Sequence, residues 1–185
     1  MPNPSQVVVL VEDQRHEMLV RRYLRRKGME PHQMTIVPFP SGKGSAEQWV
    51  RVRFAKEVSA YRHRHRGRKA TTALIVMIDA DAHTVDERLA QLDQGLREAG
   101  SLPVQKSEPV ARLVPKRNVE TWILCLNQHR VDEVTDYKDT RCDWNELVPG
   151  ASETLFQWTR PNAPIPLHCI DSLTKGIVEL RRLEA

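Results

Sequence analysis

Two short aliphatic runs that each stop on acidic residues constrain this chain more than any other feature. Gln6-Val-Val-Val-Leu-Val11 runs into Glu12-Asp13, and Ala73-Leu-Ile-Val-Met-Ile78 runs into Asp79-Ala80-Asp81. Short, β-branched, uninterrupted apolar runs read as strands buried on both faces of a parallel sheet. Ligands of such sheets sit beyond the carboxyl ends of the strands. Carboxylates at two of those ends converge on one spot when the strands are neighbours. Their mutual repulsion is relieved by a hard divalent cation. The two runs therefore predict a Mg²⁺ (or Mn²⁺) site at a sheet edge, of the kind that handles phosphates.

The rest of the chain supplies a matching architecture. Met34–Phe39 and Val110–Val114 read as further strands. Helices are expected over 14–27, from Ser45 to His63 or beyond, over 84–99, and from Asn118 onward. Val50, Phe54, Val58 and Tyr61 recur at spacings of four, four and three, an inward stripe. Val85, Leu89, Leu92, Leu96 and Ala99 repeat at four and three behind a Thr84/Glu87 capping box. The β-α-β-α-β-α-β-α order argues an α/β fold: a mostly parallel, Rossmann-like sheet of about four strands with helices on both faces. Beyond residue 128 the pattern weakens, and Pro149, Pro161, Pro164 and Pro166 break it up. A last amphipathic helix carries Ile170, Leu173, Ile177 and Leu180. The expected division is a catalytic domain over 1–128 and a helical extension over 129–185 packed on it.

Charge bears on the partner. The formal net charge is +4, unevenly spread. Arg62-His-Arg-His-Arg-Gly-Arg-Lys69 is one dense run, and Arg21, Arg22, Arg25, Arg26 and Lys27 form another on a helix. Arg62, Arg64, Arg66, Arg68 and Lys69 are thus candidates to bind a polyanion, with solvated helix faces as the plain alternative. Lys43, in the Ser41-Gly-Lys-Gly-Ser45 loop before a helix, is a further phosphate candidate, although the first glycine of a Walker A loop is missing. No apolar stretch reaches the ~18 residues of a membrane span. The start of the chain lacks the pattern of a signal peptide, so a cytoplasmic protein with no membrane partner is expected. Three cysteines, far apart, indicate neither a disulfide framework nor a zinc knuckle.

On these residues the chain resembles the Toprim domains, the metal-binding cores of topoisomerases, primases and the overcoming-lysogenisation-defect nucleases. The likeness is carried by Val11-Glu12-Asp13, by Ile78-Asp79-Ala80-Asp81 and by Arg117-Asn-Val-Glu-Thr-Trp-Ile123, and it covers roughly 6–126. It implies a Toprim-like fold and a nuclease that cleaves phosphodiester bonds in DNA or RNA. The resemblance also implies an effector of an antiphage defence system working beside an ATPase partner; a homo-oligomer is a further expectation. In that resemblance Glu12, Asp79 and Asp81 hold the metal, with Glu12 doubling as a general base. Alternation along an extended segment puts Asp79 and Asp81 on one side; the plain alternative is that they cap the next turn. Glu120 would be a further acidic ligand or support, though a carboxylate at a helix start is ordinary in any protein. Lys116 and Arg117, just past a strand end, would contact phosphate or stabilise developing charge.

The chain departs from the pattern at two places. Glu-Gly is common where Glu12-Asp13 stands. Nuclease members carry a second Glu four residues after the first, where this chain has His16 followed by Glu17. Glu17 is the substitute ligand that a small shift would bring in. Two other readings stay open. The first strand and its acid pair also look like those of a phosphorelay receiver, and a Toprim-like core can serve as a non-catalytic interaction module.

Overall fold

The computed structural model describes residues 4–39, 46–65 and 71–184. Its centre is a four-stranded, all-parallel sheet in the order β2-β1-β3-β4. The strands are β1 (Gln6–Val11), β2 (Met34–Ile36), β3 (Thr72–Met77) and β4 (Val110–Leu113). β1 pairs with β3 along its whole length, Gln6 opposite Thr72 and Val11 opposite Met77. The two acid-tipped runs are therefore neighbours, in register, at the middle of the sheet.

Alternation along the strands feeds two cores. Val7, Val9, Val11, Ile75, Met77 and Leu113 point to one face, where α1 (Gln14–Arg26) and α4 (Val119–Leu126) pack with α5 (Trp144–Thr159) and α6 (Asp171–Arg181). Val8, Leu10, Leu74, Val76 and Ile78 point to the other, covered by α2 (Ala46–His65) and α3 (Val85–Glu98). The α/β class, the parallel sheet and helices on both faces are as expected. β2 is shorter than its apolar run, because Pro38 follows and offers no ladder donor. The capping box at Ser45 lies outside the described residues.

The C-terminal segment is more than a cover. Val148, Ala151, Leu155, Leu173, Ile177 and Leu180 belong to the same core as β1 and α1. α5 runs straight through Pro149, which the sequence marks as a breaker. Three things hold it. Asp143 caps its start, accepting from Asn145 N at 2.9 Å. Asn127 Nδ2 donates to Leu147 O at 3.0 Å, satisfying a carbonyl beside the proline. The missing side chain of Gly150 leaves room for Asn127, whose Oδ1 would stand 2.6 Å from a Cβ there. Burial on α1 and α4 outweighs the loss of one helix bond at proline.

Lys27 closes α1 with its ammonium over the Tyr23 ring, 5.9 Å from the centroid. Burial pulls its pKa down to about 8. Between there and the ordinary lysine value of about 10.4, the unfolded chain binds more protons than the native one, so stability rises with pH across that window. Lys27→Met is expected to stabilise at about pH 7 by on the order of 1 kcal/mol, discounted because the group keeps partial solvent contact. The gain should vanish near pH 10.5, which denaturant midpoints at the two pH values would show.

Candidate metal centre at the end of β1 and β3

The chain leaves β1 at Val11 and turns directly into α1. Asp13 makes that turn, its Oδ1 accepting from Arg15 N at 2.8 Å and His16 N at 3.1 Å as the N-cap. Capping fixes the first turn of α1 against the end of β3. His16, wholly buried, then bridges two carboxylates: Nδ1 lies 2.8 Å from Asp13 Oδ1 and Nε2 lies 2.9 Å from Asp79 Oδ1. Glu12 completes the centre, Oε2 accepting from Asp79 N at 3.1 Å. One ligand atom from each of Glu12, His16 and Asp79 lies within 4.8 Å of the others.

These groups set one another's charge. Burial, then the neighbouring Asp79, pushes the Glu12 carboxyl up to about 7. Burial alone would strip the His16 proton, but the charge of Asp79 and the hydrogen bonds to Asp13 and Asp79 lift its pKa to about 10. Burial works against the Asp13 charge too, and His16 overrides it, holding Asp13 well below the usual carboxylate range. His16 is thus an imidazolium held between two aspartates.

Asp81 joins by a different route from the expected one. It is not extended: its φ is 52°, in the left-handed region, with its N–H bonded to Arg117 O at 3.1 Å. Arg117 is also left-handed, at φ 58°. Two non-glycine residues in that region cost about 1–3 kcal/mol each and cluster at functional sites. Arg88, a buried arginine of α3, braces the turn, donating to Ala80 O at 3.3 Å with Asp81 Oδ2 3.7 Å away. Asp79 and Asp81 do face a common point, which Lys138 reveals. Its Nζ is 3.6 Å from Asp79 Oδ2 and 3.4 Å from Asp81 Oδ1. Burial disfavours that ammonium, but Asp79, Asp81 and Glu12 outweigh it and raise its pKa above the ordinary lysine value.

The remaining candidates disperse. Glu17 points away into an ion pair with Arg21, Oε1 to Nη2 2.6 Å, and does not join the cluster. Glu120 is buried at the start of α4 and paired with Arg15, leaving Oε2 without a partner among the described residues. Lys116 donates to His83 O, on the rim. Arg117 reaches Asp136 Oδ2 at 3.3 Å. Arg62 and Arg64 sit on the end of α2 that leads into the start of β3, the edge of the sheet opposite Glu12 and Asp79. Arg62 is committed there to Glu108 (2.7 and 2.8 Å), Ser101 Oγ and two loop carbonyls. Arg64 faces Ala60 O and Glu57. Arg66, Arg68, Lys69 and Lys43 lie outside the described residues.

Sequence reasoning missed His16 and Lys138. The signal for His16 was its position: it stands where a second ligand is expected, one helical turn after Glu12. Lys138 carried none, since it comes from an irregular stretch 57 residues beyond Asp81 that folds back over the sheet edge.

Compared with protein-family models, curated proteins and solved structures, the chain matches none. Among the described residues no helix is long and apolar enough to cross a membrane.

Proposed function

We propose that the chain is a divalent-metal-dependent nuclease of Toprim type, acting on phosphodiester bonds. The observation that carries this reading is the convergence of Glu12 and Asp79 at neighbouring strand ends, Glu12 Oε2 accepting from Asp79 N at 3.1 Å, with a ligand atom of each within 4.8 Å of the other and of His16. The donor chemistry fits a hard cation. His16 Nε2, 2.9 Å from Asp79 Oδ1, orients that carboxylate, and the carboxylate oxygens of Glu12, Asp79 and Asp81 are the donors that would hold the ion. Oxygen donors of this kind suit Mg²⁺ or Mn²⁺. The Lys138 ammonium, 3.6 Å from Asp79 Oδ2 and 3.4 Å from Asp81 Oδ1, supports the reading that this pair suits a positive charge.

A bound metal would supply Lewis-acid polarisation of the phosphate and a more acidic water. The chain's own residues do the rest. Glu12, at the end of β1 beside Asp79, is placed to take a proton from an attacking water. His16 and Arg88 hold Asp79 and the Ala80–Asp81 turn in place. Lys138, on the open side, is placed to meet the phosphate and offset charge that develops on its oxygens. Lys116 and Arg117 are the next cations along the same rim.

The test is incubation with plasmid, single-stranded DNA and tRNA in Mg²⁺ or Mn²⁺, with EDTA as the blank. Divalent-dependent cleavage of at least one substrate is expected, and Lys138→Ala should slow it by about tenfold or more. No cleavage in either metal overturns the reading. A stable acyl phosphate on Asp79 after treatment with acetyl phosphate would instead favour a receiver. The ATPase partner and the antiphage role remain part of the Toprim proposal, tested by co-purification from cells expressing a neighbouring ATPase.

A further inference from the structure

A second basic feature lies on the same side of the molecule as the metal centre. An open cleft of about 830 Å³ separates the first turn of α1 from the segment that starts α5. Asp13, the residue beside Glu12, lines its inner end together with Arg15. Arg141 and Trp144 form the far wall. Met18 lines this cleft and also a second one of about 490 Å³, which continues along α1 past Arg22 and Arg25 to Pro149. The two make one trough between α1 and the first turns of α5.

Its charges are unbalanced. Arg22, Arg25 and Arg141 are exposed and have no carboxylate partner among the described residues. Its two acids are both spoken for as helix caps, Asp13 on α1 and Asp143 on α5. Arg15 is held ready: its guanidinium lies over the Trp144 ring, 5.1 Å from the centroid, and pairs with buried Glu120. A plain solvated helix face accounts for scattered arginines. It does not account for a walled trough with unpaired cations and an aromatic in its side, whose lining includes Asp13, the residue next to Glu12.

We infer that this trough is the track for one strand of nucleic acid, leading its backbone to Glu12 and Asp79. The inference rests on the nuclease reading for its direction, not for its chemistry. Basic grooves with an aromatic wall are the common form of single-strand binding. From Arg15 to Arg25 the helix rises about 15 Å, the run of four or five stacked nucleotides at ~3.4 Å each. Arg22 and Arg25 are the guanidiniums of that length with no carboxylate among the described residues, each able to cover one phosphate; Arg21 and Arg26, which also line the second cleft, pair with Glu17 at 2.6 Å and Glu153 at 3.1 Å. The basic stretch after α2, on the opposite edge of the sheet, is not needed for this path.

The experiment is binding of a short fluorescein-labelled single-stranded oligonucleotide, DNA and RNA in turn, in EDTA so that no cleavage intervenes. Anisotropy is followed over a series of salt concentrations for the wild type and for Arg22→Ala/Arg25→Ala, both exposed positions. A control of equal charge change, Lys56→Ala/Arg97→Ala, lies on α2 and α3 across the sheet. The trough pair should weaken binding about tenfold or more at low salt. It should also flatten the plot of log K against log salt by about 1.4, two phosphates at ~0.7 each for a single strand. The control pair should change neither. Equal losses in both pairs, no loss in the trough pair, no binding by the wild type, or a preference for the duplex of the same sequence would each overturn the track. The two proposals fail separately. Binding through the trough without metal-dependent cleavage removes the nuclease and keeps the track, whereas cleavage undisturbed in the trough variant does the reverse.

Discussion

Asp79→Asn is expected to lower metal-dependent cleavage by about a thousandfold while leaving the chain folded. Three bonds meet at this residue: its N–H donates to Glu12, its Oδ1 faces His16 Nε2, and its Oδ2 faces Lys138. The carboxylate would supply negative charge to a bound cation, while the backbone N–H that holds Glu12 survives the substitution. Losing a single preorganised electrostatic contact commonly costs 10²–10³ in turnover, and here the charge that would hold the ion and pair with Lys138 is removed. Asparagine is the informative replacement. It keeps the volume of a side chain that is 1% exposed and retains an oxygen for His16. Alanine would leave a cavity and an unpaired imidazolium, mixing loss of chemistry with loss of stability. Initial rates over a metal titration separate weakened affinity, recovered at high metal, from a lost step. A wild-type rate for Asp79→Asn at saturating metal would remove Asp79 from the chemistry.

How much of this centre could be read from residues alone follows from the range of the forces involved. Glu12 and Asp79 were legible because each ends a run whose burial is dictated locally, and two buried parallel strands of equal length tend to be neighbours. Asp81 was expected beside Asp79 by strand alternation; it instead sits in a left-handed turn braced by Arg88, where it shares the Lys138 ammonium with Asp79. Glu17 was misplaced because a shift of one residue in a helix rotates the side chain by about 100°, enough to turn it from the sheet edge to Arg21. His16 takes the inward position. Lys138 and α5 were illegible for the opposite reason. Their places are set by tertiary burial and by one asparagine at the end of α4, neither of which leaves a periodic mark. Prolines mislead where packing overrides them, as at Pro149.

His16→Ala is expected to be the most destabilising single change at the centre, by about 3–5 kcal/mol, the usual range when one member of a buried ion pair is removed. Two effects oppose. Removing a buried imidazolium relieves its desolvation, a gain. Against that, Asp13 and Asp79 lose their shared partner, and Glu12 is left facing Asp79 with no positive charge between them but the half-exposed Lys138. The second effect wins because Asp79, 1% exposed, is left with Lys138 at 3.6 Å as its counter-charge, even though half-exposed Asp13 keeps the backbone N–H groups it caps. For a chain of this length the loss corresponds to roughly 10 °C in Tm. The cost should shrink by about 1–3 kcal/mol when the same change is made in Asp79→Asn, since the two residues share one interaction. Divalent metal then decides what His16 does. If it orients Asp79 and the carboxylates hold the ion, Mg²⁺ or Mn²⁺ should raise the Tm of His16→Ala at least as much as that of the wild type, because the ion restores the missing positive charge. If the imidazole is itself a ligand, the variant should gain less. A loss below about 1 kcal/mol on His16→Ala would mean the bridge between the two aspartates contributes little, and that the strand ends alone hold the cluster together.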